Sequence, residues 1–296
     1  MDIEPLPSDQ TDDRFGEVPL DTWGQLIDPE PDGAGLAGPF RYPATLHGNT
    51  PNFQVYYNPN LNSAGEALAN RVLETCERDY KTLSDYFGNI TPPGFPCNVI
   101  IASEITGAWH ADCKSTDIYC QAITKPGLDI DATPFALAAE IIEVFSAAQA
   151  SGWDCESSAG EGLSRVLAAE LYPAELGIFA TAAVWLNTPS RPDFVNVSDP
   201  TDRHPISTGC SVLFLNYLHY QLGFTWKEII QAGAPTLAQT YANLIKLRAG
   251  STASGDVFQQ FKTLLQAYFP VGTPTGLKND NPFPLPPPGT TAAASS

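Results

Sequence analysis

Residues 133–150 read Thr-Pro-Phe-Ala-Leu-Ala-Ala-Glu-Ile-Ile-Glu-Val-Phe-Ser-Ala-Ala-Gln-Ala. Pro134 suits the first turn of a helix, where its missing N–H is not needed, and Thr133 before it is a good N-cap. Nothing breaks the run before Gly152. Phe135, Ala138, Ile141, Ile142 and Phe145 recur at helical spacing and predict a stripe turned into a core. Into this apolar helix are set two carboxylates, Glu140 and Glu143. A pitch of 3.6 residues per turn puts positions 139 and 143 on one face, with Glu140 beside them. Acids in such a setting are costly unless solvated, paired or bound to a cation. Glu161 adds a third, within Gly160-Glu161-Gly162-Leu163-Ser164-Arg165. Three carboxylates converging on one cleft would repel one another, and a cation or a raised pKa would have to relieve them. The plain alternative is a solvated helix face for Glu140 and Glu143, and a helix N-terminus for Glu161.

Working outward, Phe53-Gln54-Val55-Tyr56-Tyr57 alternates as a strand does. Asn62 or Ser63 begins a helix to about Phe87, with Leu68, Val72, Leu73, Cys76, Tyr80 and Leu83 at helical spacing and Gly88 as its stop. Residues 98–102 predict a short buried strand, and 107–113 and 117–123 two more. A second helix starts near Glu161 and stops before Pro173. A third starts at Ser207 or Thr208 and runs to Leu222 and Gly223. Thr225-Trp226-Lys227-Glu228 is a capping box for a short helix that Gly233 closes, and helices near 236–249 and 255–269 follow. The fold class is α+β. Residues 1–45 form an extended acidic and Pro-rich arm, 46–151 a lobe with a small mixed sheet and helices, 152–270 a mainly helical lobe, and 271–296 a Pro-rich tail with a loose end.

The chain of 296 residues carries 33 acidic and 15 basic side chains, a formal charge of −18. Phosphate binding needs a basic footprint, so a nucleic-acid partner is not expected. No apolar run is long enough to span a bilayer. The acidic start Met1-Asp2-Ile3-Glu4-Pro5 lacks the pattern of a signal peptide, which leaves a cytoplasmic chain or one trimmed or exported by another route. Six cysteines are an even count, compatible with three disulfides and favouring secretion, or with six buried thiols. The one pair the spacing suggests is Cys113–Cys120.

The 139–143 stretch resembles the active-site helix of the gluzincin metallopeptidases, the thermolysin-like branch of the zincins. Their H-E-x-x-H motif places two imidazoles one turn apart on zinc, with a Glu between them as general base. The order strand, long helix, strand, paired strands, helix is similar to the first zincin lobe, and Gly160–Arg165 is similar to the segment carrying the third, glutamate ligand. Phe214-Leu215-Asn216-Tyr217-Leu218 resembles the later helix behind the site. The resemblance implies a two-lobe zincin-like architecture, with Glu140 at the position of the base, Ala139 and Glu143 at the two histidine positions, and Glu161 at the third ligand. Alanine ligates nothing, and two carboxylates without imidazole suit calcium or magnesium better than zinc. A vestigial peptidase is therefore the first reading: a binding or structural module for a protein or peptide, without a cofactor.

His110, in Ala108-Trp109-His110-Ala111-Asp112, is the candidate replacement ligand, with Glu143 and Glu161; His204 is a second candidate and His219 reads as packing. A rearranged Glu/His hydrolase, as a peptidase or as a carboxylate pair of the glycosidase kind, is the second reading. An extracellular or surface assembly component using the terminal arms is the third.

Overall fold

The computed structural model describes residues 40–105, 107–123, 130–175, 177, 179–201, 203–250 and 255–286. It is a mixed α and β structure with a five-stranded mixed sheet. Strands β1 (Thr45–Asn49), β2 (Phe53–Tyr57), β3 (Cys97–Ala102), β4 (Ala108–Trp109) and β5 (Asp117–Gln121) lie in the order β1-β2-β3-β5-β4. β2, β3 and β5 are parallel, and β1 and β4 run antiparallel at the two edges. A parallel centre is covered on both faces, and β3 shows it: Val99 and Ile101 join the main core, Ile100 and Ala102 a second one.

Helix α1 (Asn62–Tyr86) follows β2, and α2 (Ala132–Gln149) follows β5. Both pack on the inner face of the sheet. The Phe145 ring of α2 sits 5.4 Å from Tyr80 and 5.4 Å from Phe87, with Phe95 at 6.3 Å. The outer face carries Ile100, Ala102, Ile105 and Tyr119, and Phe40, Tyr42, Ala44 and Trp109 close over them. Arg41 lies over the Trp109 ring at 4.7 Å. Residues 40–44, assigned from sequence to an extended arm, thus cover the sheet; residues 1–39 lie outside the described residues. Strand β1 was hidden in the sequence because Gly48 and a register shift between Leu46 and Gly48 spoil its alternation. A side chain at Gly48 would meet Leu73 Cδ1 at 2.8 Å, so glycine lets α1 lie close.

The start of α2 differs from the sequence expectation. Asp131, not Thr133, is the cap position and makes no side-chain cap bond. The buried Thr133 hydroxyl instead donates to the Gln121 carbonyl at 3.0 Å and ties the helix to the end of β5. Arg71 of α1 holds Asp131 with Nη2 to Oδ2 at 3.0 Å. Ala150, in the left-handed region at φ 53°, ends the helix.

The second half is helical: α3 (Ser158–Leu171), α4 (Ala182–Asn187), α5 (Pro205–Asn216), α6 (Trp226–Gln231), α7 (Leu237–Ala249) and α8 (Val257–Tyr268). α3 begins three residues before Glu161 because Ser157 caps it by accepting from the Gly160 amide. α4, six residues long, is too short to leave a periodic signal. α5 starts earlier than expected, on Pro205, and gives way to a wide π turn over Tyr217–Gln221. The capping box of α6 is present, with both Thr225 and Glu228 bonds made.

The chain beyond α8 is fastened down to residue 286. Phe283 is buried with its ring 5.8 Å from Tyr217, and Leu285 N–H donates to Gln221 Oε1 at 2.7 Å. Residues 287–296 of the expected loose tail lie outside the described residues. Among the described residues no helix is long and apolar enough to cross a membrane.

Candidate functional site

Edge strand β4 delivers His110 over the middle of α2. Trp109 pairs with Tyr119 of β5, so the next side chain leaves the sheet edge toward the helix below. His110 Nε2 lies 2.9 Å from Glu143 Oε2 and 3.6 Å from Glu140 Oε2. Its Nδ1 lies 3.1 Å from the Ser115 carbonyl. A carbonyl only accepts, so Nδ1 carries a hydrogen. Nε2 is then the ring atom that faces the Glu143 carboxylate. The His110 side chain is 4% exposed, Glu143 10% and Glu140 14%, so the contact is made in a nearly dry setting.

Glu161 takes another partner. Arg165, one turn along α3, lies with Nε 2.5 Å from Glu161 Oε1, and its Nη1 donates to the Phe179 carbonyl at 2.7 Å. Burial pulls the Arg165 guanidinium down, but Glu161, Asp280 and Glu143 outweigh it and hold it above its ordinary pKa. One arginine therefore stands in the field of two of the three carboxylates singled out from sequence.

The glycines around Glu161 have a packing cause. A side chain at Gly160 would lie 1.9 Å from the Asp154 carbonyl oxygen, and one at Gly162 would lie 2.6 Å from Ser211 Cβ of α5. Gly-Glu-Gly is what lets α3 fit between the turn before it and α5.

Beside Arg165 a cavity of about 220 Å³ opens, lined by Phe135, Glu170, Asn216, Tyr220 and Asp280 among others. Phe135 stacks on Phe179 at 5.4 Å along its wall. Asp280 comes from the chain after α8. Its Oδ1 accepts from the amides of Thr181 at 2.8 Å and Ala182 at 2.7 Å, and Asn216 Nδ2 donates to its carbonyl at 2.9 Å. Burial raises Asp280 to about 6, against the opposing pull of these amides and of Arg165. A carboxyl raised on folding holds its proton in the folded state between about pH 4 and 6, where the unfolded chain has already lost it. Stability from this group falls as pH rises through that window, by on the order of 3 kcal/mol. Asp280→Asn keeps an oxygen for both amides and removes the charge. Wild type and variant should therefore diverge between pH 4 and 6 in chemical unfolding, the variant being more stable at pH 7. Parallel pH profiles would refute this.

The disulfide is Cys113–Cys155, with Cα atoms 5.8 Å apart, and not the expected Cys113–Cys120. Alternation along β5 turns Cys120 into the core, fully buried, while Cys113 lies in the half-exposed loop between β4 and β5. Cys76, Cys97, Cys120 and Cys210 are free and buried. Burial pushes the thiols of Cys97 and Cys120 well above their ordinary pKa, which leaves them poor nucleophiles.

The other histidines lie elsewhere. His204 is 44% exposed and pairs with Asp199 at 2.9 Å. His219 donates Nδ1–H to the Phe224 carbonyl at 2.6 Å and stacks on Trp226 at 4.3 Å. His47 bonds Asn70 at 2.8 Å.

The residues at the positions suggested by the gluzincin resemblance do not fit a zinc ion. Ala139 has no donor atom, Glu143 engages His110, and Glu161 engages a guanidinium that would repel a second cation. Sequence reasoning missed Arg165, although an acid four residues before an arginine in a helix is a readable pair. It also missed Asp280 and Cys155, which only the tertiary fold brings close. Searches against protein-family models, curated proteins and solved structures return no match to this chain.

Proposed function

We propose that the chain is a zincin-like, two-lobe scaffold in which an ion-pair network replaces the peptidase centre, and that it acts as a binding module for a protein or peptide. The observation that carries this reading is the pairing of each candidate acid with a protein group: Glu143 and Glu140 with His110, and Glu161 with Arg165. The element order β2, α1, β3, paired β4 and β5, α2 supports the scaffold, as does the close packing of α3 on α2 and α5. Glu140 stands where a general base would stand. A base of this class acts on a metal-activated water, and the donor set around Glu140 does not supply one. What the arrangement offers instead is recognition: a guanidinium, a buried carboxyl and a stacked aromatic pair around one cavity.

The test compares disulfide-intact wild type with an Ala139→His, Glu143→His double variant. Elemental analysis of the wild type should give well under one zinc per chain, and casein should not be cleaved. The variant restores two imidazoles at i and i+4 and should gain at least roughly tenfold in zinc affinity. Stoichiometric zinc in the wild type at the Glu143 and Glu161 positions would sink the reading. A second reading, a hydrolase with a rearranged Glu/His centre, rests on the His110–Glu143 contact of 2.9 Å. It requires a hydrolytic turnover that His110→Gln abolishes.

A further inference from the structure

Two groups of metal-ligating side chains meet at one sulfur. His110, Glu143 and Cys155 present ligand atoms all within 4.8 Å of one another, and so do Cys113, Asp154 and Cys155. Cys155 belongs to both. In the present state its sulfur is bonded to Cys113. We propose that reductive opening of the Cys113–Cys155 disulfide creates a zinc site formed by Cys113, Cys155, His110 and Glu143, so that metal binding is gated by thiol redox state. This goes beyond the binding-module reading and does not depend on it.

Three observations support the assignment. His110 is oriented as a metal ligand is. Its Nδ1–H is spent on the Ser115 carbonyl, so Nε2 is the atom aimed at Glu143 and Cys155. His110 and Cys113 are separated by two residues, His110-Ala111-Asp112-Cys113, the short chelate spacing of structural zinc loops. Two thiolates, an imidazole and a carboxylate are a donor set that tetrahedral zinc accepts, with bonds of about 2.0–2.3 Å. Ligand atoms around such an ion stand roughly 3–4 Å apart, so His110, Glu143 and Cys155, within 4.8 Å of one another, need only a small closing movement, whereas Cys113, grouped with Asp154 and Cys155, must swing in on its loop once its bond to Cys155 is broken. These residues are distinct from the Ala139 and Glu161 positions of the family site.

The chemistry balances with a dithiol as reductant. One thiolate attacks the sulfur of Cys113, the less buried of the two residues, the Cys113–Cys155 bond breaks, and Cys155 leaves as a thiolate. The second thiolate of the reductant attacks its own mixed-disulfide sulfur. It releases Cys113 as a thiolate and departs as a cyclic disulfide. Two electrons pass from the reductant to the protein, and both protein sulfurs become ligands. Zinc would then be held by the two sulfurs, His110 Nε2 and the Glu143 carboxylate.

The experiment uses the full chain, oxidised or reduced with a phosphine, and titrates it with zinc against a chromogenic chelator. Cobalt serves as the spectroscopic probe. The reduced protein should bind one equivalent at least roughly a hundredfold more tightly than the oxidised protein. Cobalt should give thiolate charge-transfer absorption and the strong visible bands of a tetrahedral centre. His110→Gln keeps a donor for Glu143 but removes the ligand, and Cys155→Ser removes a sulfur. Each should weaken binding by at least roughly a hundredfold. Equal zinc affinity in the two redox states overturns the proposal, and so does wild-type affinity in either variant. Should circular dichroism find the reduced chain unfolded, zinc must restore the fold, and failure to restore it overturns the proposal too.

Discussion

Replacing Cys113 and Cys155 together by serine will cost about 4 kcal/mol of unfolding free energy. The disulfide spans a sequence separation of 42, and loop-closure entropy for a ring of that size gives this figure. The bridge joins the loop between β4 and β5 to the turn between α2 and α3. Without it the unfolded chain gains freedom, and in the folded state His110 loses the clamp on its own loop. Thermal unfolding should shift by roughly 10 °C. The variant should also show faster amide exchange at Asp112 and Ser115 than at Cys120, because the loop loosens before the strand does. A loss below about 1 kcal/mol by urea unfolding would mean that the loop is held equally well by its own bonds, Ser115 N–H to Asp112 O at 2.9 Å and Lys114 N–H to Asp112 Oδ1 at 2.8 Å.

Truncating Phe145 to alanine will cost about 3–5 kcal/mol, the range for a buried aromatic ring that leaves a cavity. Phe145 is fully buried and lies among Tyr80, Phe87 and Phe95, which belong to α1, its C-terminal end and the loop before β3. The ring therefore joins α1 and the loop before β3 to the helix that carries Glu140 and Glu143. Those neighbours are themselves packed ring to ring, with Tyr80 and Phe95 at 5.0 Å, so they cannot collapse readily into the vacated space. Phe145→Leu should recover more than half of the loss. Urea denaturation of both variants checks this, and equal stability of the alanine and leucine forms would count against ring packing as the cause.

How far these features were legible follows from their physics. The inward stripe of α2 was readable because helical periodicity is local: Phe135, Ala138, Ile141, Ile142 and Phe145 are all buried. β3 was readable as a short apolar run, and α6 through its capping box. The start of α2 was misread because Thr133 finds its partner in β5, and no local rule can weigh a distant carbonyl against a nearby amide. The disulfide was misassigned for a related reason. Spacing favoured the short Cys113–Cys120 loop, but the alternation of β5 points Cys120 inward, and Cys155 reaches Cys113 only after α2 has crossed under the sheet. Within the candidate site, the acids and His110 were visible as residue types. That His110 meets Glu143 depends on the tertiary fold, whereas the Glu161–Arg165 pair, one turn apart on α3, is a local pattern that the sequence did carry.

The position of Asp280 and Phe283 bears on how the molecule is assembled during synthesis. Both follow α8, yet Asp280 caps α4 and walls the cavity beside Arg165, and Phe283 seals against Tyr217. Translation runs from the N-terminus, so the sheet and α2 can collapse while these residues are still within the ribosome. The recess next to Arg165 then acquires the wall that Asp280 supplies only after α8 has been made. A nascent chain would present that guanidinium paired with Glu161 but still lacking Asp280 beside it.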